Sequence, residues 1–356
     1  MRLGIIGLPQ SGKTTLYKAL TRADIPTEIS AGHLEVHTAV VDVPDPRVEK
    51  LVELFNPKKV VYAKVTYADI AGLDGSAGKN GIAGALLNQL SQMDGFIHVV
   101  RHFENNRVPH ILGSIDPLRD IMSMDTEFIL SDLIMVERKL ERLVDEHRKG
   151  AGRDRSLIEQ EIALFERLQA ELSSEKPLRD ETFTAEEEKI LSSYGFLSRK
   201  PQIVVINQSE EQEPLDINPN HQHTLVECMP AKLEMDIAEL PDEDAALFMA
   251  EYGIQEPGLN RLIRLSYDLL GLQSFFTAGE KEVHAWTLKR GLTAHDAAGV
   301  IHSDMEKGFI RAEVVAYDDL VRLGSMAETR AKGKLRLEGK DYIVADGDIL
   351  VIRFNI

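Results

Sequence analysis

The amino-terminal stretch Met1-Arg-Leu-Gly-Ile-Ile-Gly-Leu-Pro-Gln-Ser-Gly-Lys-Thr-Thr15 decides the fold of this chain. Within it, residues 7–14 have the spacing G-x-x-x-x-G-K-T of a phosphate-binding loop, with a short apolar segment before them and a helical pattern after them. In such loops the backbone N–H groups surround phosphate oxygens, the lysine reaches the β- and γ-phosphates, and the threonine hydroxyl ligates Mg²⁺. We therefore predict a strand, this loop and a helix beginning near Lys13, which together bind a nucleotide.

A second element of nucleotide-dependent switches ends the predicted strand Val60 to Ile70, where the sequence reads Asp69-Ile-Ala-Gly72. In D-x-x-G elements the aspartate reaches the Mg²⁺ shell through water, and the glycine N–H senses the γ-phosphate. Ras-like enzymes orient the attacking water with a glutamine directly after this element, but here that position is Leu73, which cannot form a hydrogen bond. We therefore expect unaided hydrolysis to be slow.

The base is expected to meet Asn207-Gln-Ser-Glu210, which follows the predicted strand Gln202 to Ile206. Guanine-specific relatives read N-K-x-D here, and the aspartate accepts hydrogen bonds from two donors of guanine. The longer Glu210 displaces its carboxylate by about one methylene, and donors left unpaired cost ~1–3 kcal/mol. We therefore predict that ATP binds more tightly than GTP, with GTP binding still possible. An Asx-type turn without base contact is the alternative.

Composition limits the other classes of function. The chain has 356 residues, enough for two or three domains, and its formal charge of −17 disfavours nonspecific nucleic-acid binding by the whole surface. Its only cysteine, Cys228, excludes an internal disulfide and argues against a cysteine-rich zinc site. No apolar run approaches the ~20 residues of a membrane span. We expect a cytoplasmic protein with no membrane contact and no DNA-specific binding.

The chain changes character twice after the first nucleotide-binding segment. From about Asp125, apolar residues recur at heptad-like spacings of four and three: Ile129, Leu133, Val136, Leu140 and Leu143. We predict a nucleotide domain from residues 1–124 and 200–272, an inserted antiparallel helical arm over 125–199, and a small strand-rich domain over 273–356. Positions 138–155 hold seven Lys or Arg against four Asp or Glu. This basic arm tip is either a contact for RNA or a solvated helix face.

With these motifs in view, the chain resembles the YchF family of Obg-related P-loop NTPases, the Obg-like ATPases, over nearly its whole length. The segments that carry the resemblance are Val43–Arg47, Glu53–Val60, Asp69–Leu73, His98–Arg101, Asn207–Glu210, Phe275–Val283, Ala298–His302 and Glu306–Glu313.

The resemblance implies an α/β fold: a doubly wound P-loop NTPase domain, an inserted antiparallel helical arm and a C-terminal ubiquitin-like TGS domain of α+β type. It also implies a ribosome-associated, ATP-preferring hydrolase involved in translation or stress, whose partner is the ribosome, through its large subunit or ribosomal RNA. By the same resemblance, His110 places the attacking water and the loop Pro230–Glu234, including Ala231, backs the base. An exposed loop histidine without a catalytic role is the alternative for His110.

These inferences give a set of expected site residues for Mg²⁺ and ATP. The catalytic residues are Lys13 and His110, and the metal ligands are Thr14 and Asp69. The nucleotide-binding residues are Gly7, Gln10, Ser11, Gly12, Lys13, Thr14, Thr15, Gly72, Asn207, Glu210 and Ala231.

Two segments differ from the family pattern and keep other functions open. The family's phosphate loop usually reads N-V-G-K-S, whereas this chain has Gln10-Ser-Gly-Lys-Thr14. The first switch of the family has a threonine near the position of His33, and this chain reads His33-Leu-Glu-Val-His37. The alternative is a nucleotide-gated RNA- or ribosome-binding protein with little or no hydrolysis. A metabolic P-loop kinase would need an acceptor pocket and lid arginines, which the sequence does not supply.

Overall fold

The structure is a computed structural model that describes residues 1–22, 36–71, 73, 82, 84–150 and 152–355. The chain divides into two compact units: one comprises Met1–Ala39 with Thr66–Leu259, and the other comprises Val40–Val65 with Asn260–Ile356. Each unit contains most of one sheet. The domain boundaries expected from the sequence stay a prediction.

The secondary structure of the described residues alternates between strands and helices. The strands are β1 (Arg2–Ile6), β2 (His37–Asp42), β3 (Val60–Val61), β4 (Lys64–Asp69), β5 (Gly95–Arg101), β6 (Gln202–Asn207), β7 (Thr224–Met229), β8 (Leu272–Ala278), β9 (Val283–Lys289), β10 (Phe309–Ala316), β11 (Arg336–Glu338) and β12 (Asp348–Phe354). The helices are α1 (Lys13–Thr21), α2 (Pro46–Phe55), α3 (Gly84–Ser91), α4 (Pro117–Lys149), α5 (Arg155–Ser173), α6 (Ala185–Leu191), α7 (Ala231–Glu239), α8 (Asp242–Glu251), α9 (Gly258–Leu269), α10 (Ala294–Ile301), α11 (Ser303–Lys307), α12 (Tyr317–Leu323) and α13 (Met326–Ala331).

The first sheet has the strand order β2-β4-β1-β5-β6-β7. Strand β1 pairs in parallel with β4 and β5, and β6 pairs in parallel with β5 and β7. Strands β5 and β6 are buried along their whole length, as their near-continuous apolar sequences predict for central parallel strands. Because the carboxyl ends of parallel strands meet at one edge, the phosphate loop, Asp69 and Asn207 follow neighbouring strands there. The predicted doubly wound α/β fold is confirmed.

The helices α4 and α5 pack together through the predicted heptad residues. Ile129, Val136, Leu140 and Leu143 are buried in one cluster with residues of α5, among them Phe165. Helix α4 begins at Pro117, earlier than the sequence pattern suggested, because Asp116 caps it by accepting a hydrogen bond from the Arg119 N–H.

Buried polar contacts attach α4 to the sheet. Arg179 donates to the Asp125 carboxylate at 2.7 Å, and its Nε donates to the Thr224 hydroxyl in β7 at 3.0 Å. About two turns of α4 further on, Asp132 accepts from the backbone N–H groups of Leu197 and Ser198 at 2.9 and 2.7 Å. Since a buried charge is tolerated only with such partners, these contacts hold the base of α4 in one position.

The second unit contains a mixed sheet with the strand order β11-β10-β12-β8-β9-β3. Strand β10 is antiparallel to β11 and β12, β8 is antiparallel to β9, and β12 is parallel to β8. One face packs on α10, with Phe275, Leu288, Val314 and Leu350 in the core. This is the small α+β domain that the resemblance implied.

The single strand predicted over Val60 to Ile70 is wrong, because the segment forms two strands that belong to different sheets. Residues 60 and 61 make up β3, which pairs in parallel with β9 of the second sheet, and β4 begins only at Lys64. Between the two strands, the carbonyl of Ala63 accepts a hydrogen bond from the Val43 N–H at 2.8 Å. A run of β-branched residues indicates strand conformation but does not indicate which sheet each part joins.

Candidate functional site

The phosphate loop follows β1 and requires glycine at both ends. Gly7 has φ 143° and Gly12 has φ 101°, in the region that side chains disfavour. A Cβ atom on Gly7 would lie 2.3 Å from the Val99 carbonyl oxygen, and one on Gly12 would lie 2.2 Å from Asn207 Nδ2. Helix α1 begins at Lys13, as predicted, so its N-terminal N–H groups border the loop.

The Lys13 side chain lies inside its own loop. Its Nζ donates hydrogen bonds to the carbonyl oxygens of Gly7 and Leu8, both at 2.9 Å. Burial lowers the pKa of Lys13 to about 8, against the opposing effect of the nearby Asp69 carboxylate. The loop therefore holds an ammonium whose charge is poorly solvated, which favours exchange of the carbonyl partners for phosphate oxygens.

The two expected metal ligands lie side by side. The Thr14 hydroxyl donates to Asp69 Oδ2 at 3.1 Å, and Asp69 is buried. Burial raises the pKa of Asp69, whereas the hydrogen bond from Thr14 and the charge of Lys13 lower it. A hydroxyl and a carboxylate are the oxygen donors that Mg²⁺ prefers, and Mg²⁺ takes its remaining ligands from phosphates and water. Among the residues that the structure describes, no group of three or more His, Cys, Asp or Glu side chains is placed to hold a metal ion.

The Ser11 hydroxyl adds a further polar group to the loop. Ser11 is buried, and its Oγ atom has no hydrogen-bond partner within the described part of the chain. A buried hydroxyl without a partner is unfavourable unless a ligand supplies one. The phosphate loop therefore has a donor ready for a phosphate oxygen.

Asn207 connects the phosphate loop to the loop expected to back the base. Its Nδ2 donates to the Ser11 carbonyl at 2.9 Å, and its Oδ1 accepts from the Ala231 N–H, the first residue of α7, at 3.1 Å. Asn207 is buried, so both ends of the amide are satisfied within the protein. In this arrangement Asn207 positions two ligand-binding loops and does not itself point a free group at a base.

The residues after Asn207 have separate environments. The Gln208 side chain is buried and donates through Nε2 to the Gln212 carbonyl at 2.7 Å. Glu210 is exposed, and no hydrogen bond joins it to another residue of the described ranges. The Glu210 carboxylate is therefore accessible to solvent, and its contact with a base stays a prediction.

Comparisons with known proteins agree with this site and fold. A family model described as YchF-GTPase_C, protein of unknown function (DUF933), matches residues 272–355. The ribosome-binding ATPase YchF of Bacillus subtilis is 42% identical, and the match covers 99% of this chain and 99% of the relative. This chain belongs to the YchF family. The recognition of the family from its motifs, and of a P-loop NTPase within it, is confirmed.

More distant members of the YchF family match over a similar extent. Obg-like ATPase 1 of Oryza sativa subsp. japonica is 34% identical over 100% of this chain and 92% of its own length. The structure of the Schizosaccharomyces pombe YchF GTPase matches with a TM-score of 0.84 and 31% sequence identity. The match covers 99% of this chain and 97% of the Schizosaccharomyces pombe chain.

His110 lies away from these contacts and is held by α4. The Leu112 N–H donates to His110 Nδ1 at 3.1 Å, which assigns the ring proton to Nε2, and Nε2 lies 2.9 Å from Asp120 Oδ2. Arg119 donates to the other oxygen of Asp120. The His110 side chain is only 4% exposed, so the alternative of an exposed loop histidine does not describe it. Its catalytic role stays a prediction, and that role would require the imidazole to leave Asp120.

Two predicted elements fall partly or wholly outside the described residues. Gly72 of the D-x-x-G element is outside them, as is the segment 33–35 that precedes His37. Leu73 is described and is buried, at 3% exposure, in a cluster that includes Ile70 and Phe96. The water-orienting position is thus occupied by a core side chain.

Glu234 is a structural residue of this region that the sequence did not reveal. Its carboxylate accepts from the N–H groups of Gly258 and Leu259 at 2.9 and 3.2 Å, at the first turn of α9. The carboxylate therefore binds the N-terminus of a helix that begins 24 residues later. No spacing rule finds such a pair, because the contact depends on how α7 and α9 pack.

The buried lysine predicts that nucleotide affinity falls at high pH. Well below pH 8 the free loop already carries the ammonium, so the charge of Lys13 adds no pH dependence to the affinity. Above its pKa of about 8, the free Lys13 loses its proton. Phosphate charge raises the pKa of the bound lysine, so binding then takes up a proton and the Kd for ATP should rise by up to about tenfold per pH unit. Titrations of a fluorescent ATP analogue across this pH range measure how the Kd depends on pH.

Lys13→Met is the control and should bind weakly with no such pH dependence. A wild-type Kd that stays constant above pH 8 would contradict the assignment of the titrating group to Lys13.

Proposed function

We propose that this protein is a ribosome-associated molecular switch that binds ATP with Mg²⁺ and hydrolyses it slowly. The observation that carries the proposal is the convergence of Lys13, Thr14, Asp69 and Asn207 through direct hydrogen bonds and charge at one edge of the sheet. The names of the bacterial relatives, ribosome-binding ATPases, supply the partner. We further propose a cytoplasmic location and contact with the large subunit or its RNA.

When a nucleotide binds, the polar groups of the phosphate loop exchange hydrogen-bond partners within the protein for phosphate oxygens. Phosphate oxygens replace the carbonyls of Gly7 and Leu8 as acceptors for Lys13, and the Ser11 hydroxyl gains an acceptor. Thr14 would hold Mg²⁺, with Asp69 behind it as an acceptor for the metal's water. A metal held there would supply positive charge that offsets the negative charge of the phosphates. Each polar group that is constrained or unsatisfied in the free loop thus gains a partner from the nucleotide.

Slow hydrolysis follows from the side chains at the two positions that are expected to orient the attacking water. Leu73 is apolar and buried, and both ring nitrogens of His110 have protein partners. In this conformation neither residue can orient water. We propose that the ribosome accelerates hydrolysis by favouring a conformation in which His110 is released from Asp120.

The arm tip is the proposed ribosome contact together with the C-terminal domain, although its cations are largely paired. Arg148 pairs with Asp145, Arg153 with Glu146 and Glu161, and Arg155 with Glu159. Such exposed ion pairs are weak, so phosphates can compete for the arginines. Binding through them should weaken steeply with salt, because each neutralised phosphate releases counterions.

Phosphate release measured with and without ribosomes tests the proposed activity. We expect slow release from the protein alone, stimulation by ribosomes, and at least about a hundredfold lower stimulated rate in His110→Ala, as is usual when a proton-transfer or water-positioning group is lost. Lys13→Met is the control that should lose ATP binding, whereas His110→Ala should keep it. If ATP binds and ribosomes bind but no release is stimulated, the second candidate, a nucleotide-gated binding protein with little hydrolysis, replaces the switch.

We also propose that ATP is preferred over GTP. Glu210 replaces the shorter aspartate that accepts from guanine, and Gln208 is turned toward the Gln212 carbonyl instead of lying along a base. The Ala231 N–H donates to Asn207, but Pro230 provides no side-chain cap for α7, so the N–H groups of Lys232 and Leu233 in its first turn have no acceptor within the helix. Adenine can use such a backbone donor through its ring nitrogen and does not need the carboxylate.

Competition of ATP and GTP against a fluorescent ATP analogue tests this preference. We expect GTP to bind about 10- to 100-fold more weakly, which corresponds to ~1–3 kcal/mol for donors left unpaired. The double variant Gln208→Lys/Glu210→Asp restores the guanine pattern and should raise GTP affinity, whereas Glu211→Asp, an exposed neighbour, should change neither nucleotide. Equal or tighter GTP binding by the wild type would overturn the preference.

A further inference from the structure

A groove that the nucleotide site does not use runs along α4. It extends from Ser131 to Glu146, with α3 and Tyr194 on its other sides, and has a volume of about 620 Å³. At 1.5 Å per residue this part of α4 is about 22 Å long. The groove is therefore long and narrow, which suits a chain segment better than a small ligand.

Two arginines give the groove an uncompensated positive charge. Arg138 and Arg142 lie one helical turn apart, both are exposed, and neither forms an ion pair or hydrogen bond with any residue of the described ranges. This distinguishes them from Arg148, Arg153 and Arg155 further along the arm, which have carboxylate partners. In a chain of net charge −17, unpaired neighbouring arginines form a local site for acidic groups.

Of the acidic residues of the same helix, Glu146 at the end of the groove is paired with Arg153 at 3.4 Å, and three others line a different groove. Glu137, Glu141 and Asp145 follow α4 at intervals of four and line a separate groove with Glu166 of α5. An acidic segment would be repelled from that side and attracted to the side of Arg138 and Arg142. The arm therefore presents grooves of opposite charge, which orients an acidic partner.

Besides the two arginines, the groove is lined by apolar side chains and one buried hydroxyl, which a ligand would also have to match. Leu87, Ile134 and Met135 are partly exposed along it, and the Ser131 side chain is buried with an Oγ atom that has no partner in the described structure. A ligand that supplied only negative charge would leave this apolar strip in water. The matching ligand carries acidic side chains, an apolar face and at least one group that can bond to a hydroxyl.

The aromatic residue of the groove, Tyr194, is not placed to bind nucleic acid by base stacking. The Tyr194 ring is stacked on Phe196 at 5.3 Å with an interplanar angle of 7°, and Lys139 Nζ lies 5.8 Å from its centroid. Lys139 is itself paired with Glu161 at 2.8 Å. The ring faces are therefore occupied and cannot stack a base in the way that single-stranded nucleic-acid sites require.

We propose that this groove binds an acidic amphipathic helix of a partner protein. The apolar face of that helix covers Leu87, Ile134 and Met135, and its carboxylates pair with Arg138 and Arg142, in the helix-in-groove mode of recognition. A helix of about 15 residues fits the groove length at 1.5 Å per residue. The binding requires no nucleotide hydrolysis, so it stands or falls separately from the proposed activity.

Fluorescence anisotropy with a defined probe tests the proposal on the full chain. The probe is a labelled peptide of about 15 residues with leucines on one helical face and glutamates on the other; a scrambled peptide of identical composition is its control. Arg138→Glu/Arg142→Glu should weaken binding of the amphipathic peptide at least about tenfold, since both close charge pairs become repulsive. Arg148→Glu/Lys149→Glu makes the same net charge change on the same helix but outside the groove lining, where both cations already lie beside Asp145, and should weaken binding clearly less than the first double variant does.

Two uncharged variants separate packing from electrostatics. Met135→Gln should weaken the amphipathic peptide severalfold and leave the scrambled peptide unchanged, and Ser131→Ala should give a smaller loss. Arg138 and Arg142 are exposed, so we expect their replacement to leave the core intact. Melting curves of each variant check that it folds. Equal binding of both peptides, equal loss in the two charge-reversed variants, or a single-stranded RNA oligonucleotide that binds through Arg138 and Arg142 more tightly than the peptide would each overturn the proposal.

Discussion

The amide of Asn207 is the contact on which the nucleotide site depends. It joins the Ser11 carbonyl in the phosphate loop to the Ala231 N–H at the start of α7, so one buried side chain fixes the distance between two loops that lie 220 residues apart in the chain (231 − 11). The close approach explains why position 12 must be glycine, since a Cβ there would overlap Asn207 Nδ2. The phosphate loop and the base loop are therefore parts of one polar network.

The free site keeps its shape because most of its polar groups satisfy one another. Lys13 is bonded to loop carbonyls and Thr14 to Asp69, and these are the groups that phosphate and Mg²⁺ would engage. A preorganised loop loses little conformational entropy when it binds a ligand. The cost is a buried ammonium with a lowered pKa, which makes the loop sensitive to pH and favours a ligand that brings negative charge.

The same principle operates where α4 meets the sheet. The buried pair Asp125–Arg179 and the hydrogen bonds of Asp132 hold the base of this helix, so α4 is continuous from the neighbourhood of His110 to the arm tip. Asp120, which binds His110, lies in the first turn of the same helix. A movement of the first turn of α4 would therefore act directly on the residue predicted to place water.

Much of the fold could be predicted from local sequence, because its signals are local. The G-x-x-x-x-G-K-T spacing, the apolar strands and the heptad pattern each depend on neighbours in the chain, and they led to the correct sheet, loop and arm helices. The structure also brings Lys13, Thr14, Asp69 and Asn207 together, although their roles in binding stay predictions. Tertiary packing decided the rest: the division of residues 60–70 between two sheets, the Glu234 contact with α9 and the burial of His110 against Asp120 have no sequence spacing that indicates them.

Replacement of Asn207 by aspartate tests the central role of this contact most directly. The change keeps the acceptor for the Ala231 N–H but places a second oxygen opposite the Ser11 carbonyl, where the donor now stands at 2.9 Å. Loss of a buried hydrogen bond with an unpaired group costs ~1–3 kcal/mol, so ATP should bind about 10- to 100-fold more weakly and the melting temperature should fall. Asn88→Asp, which adds the same charge on the exposed surface of α3, should change neither quantity. If Asn207→Asp bound ATP with wild-type affinity, the two loops would not depend on this amide, and the account of the site would be contradicted.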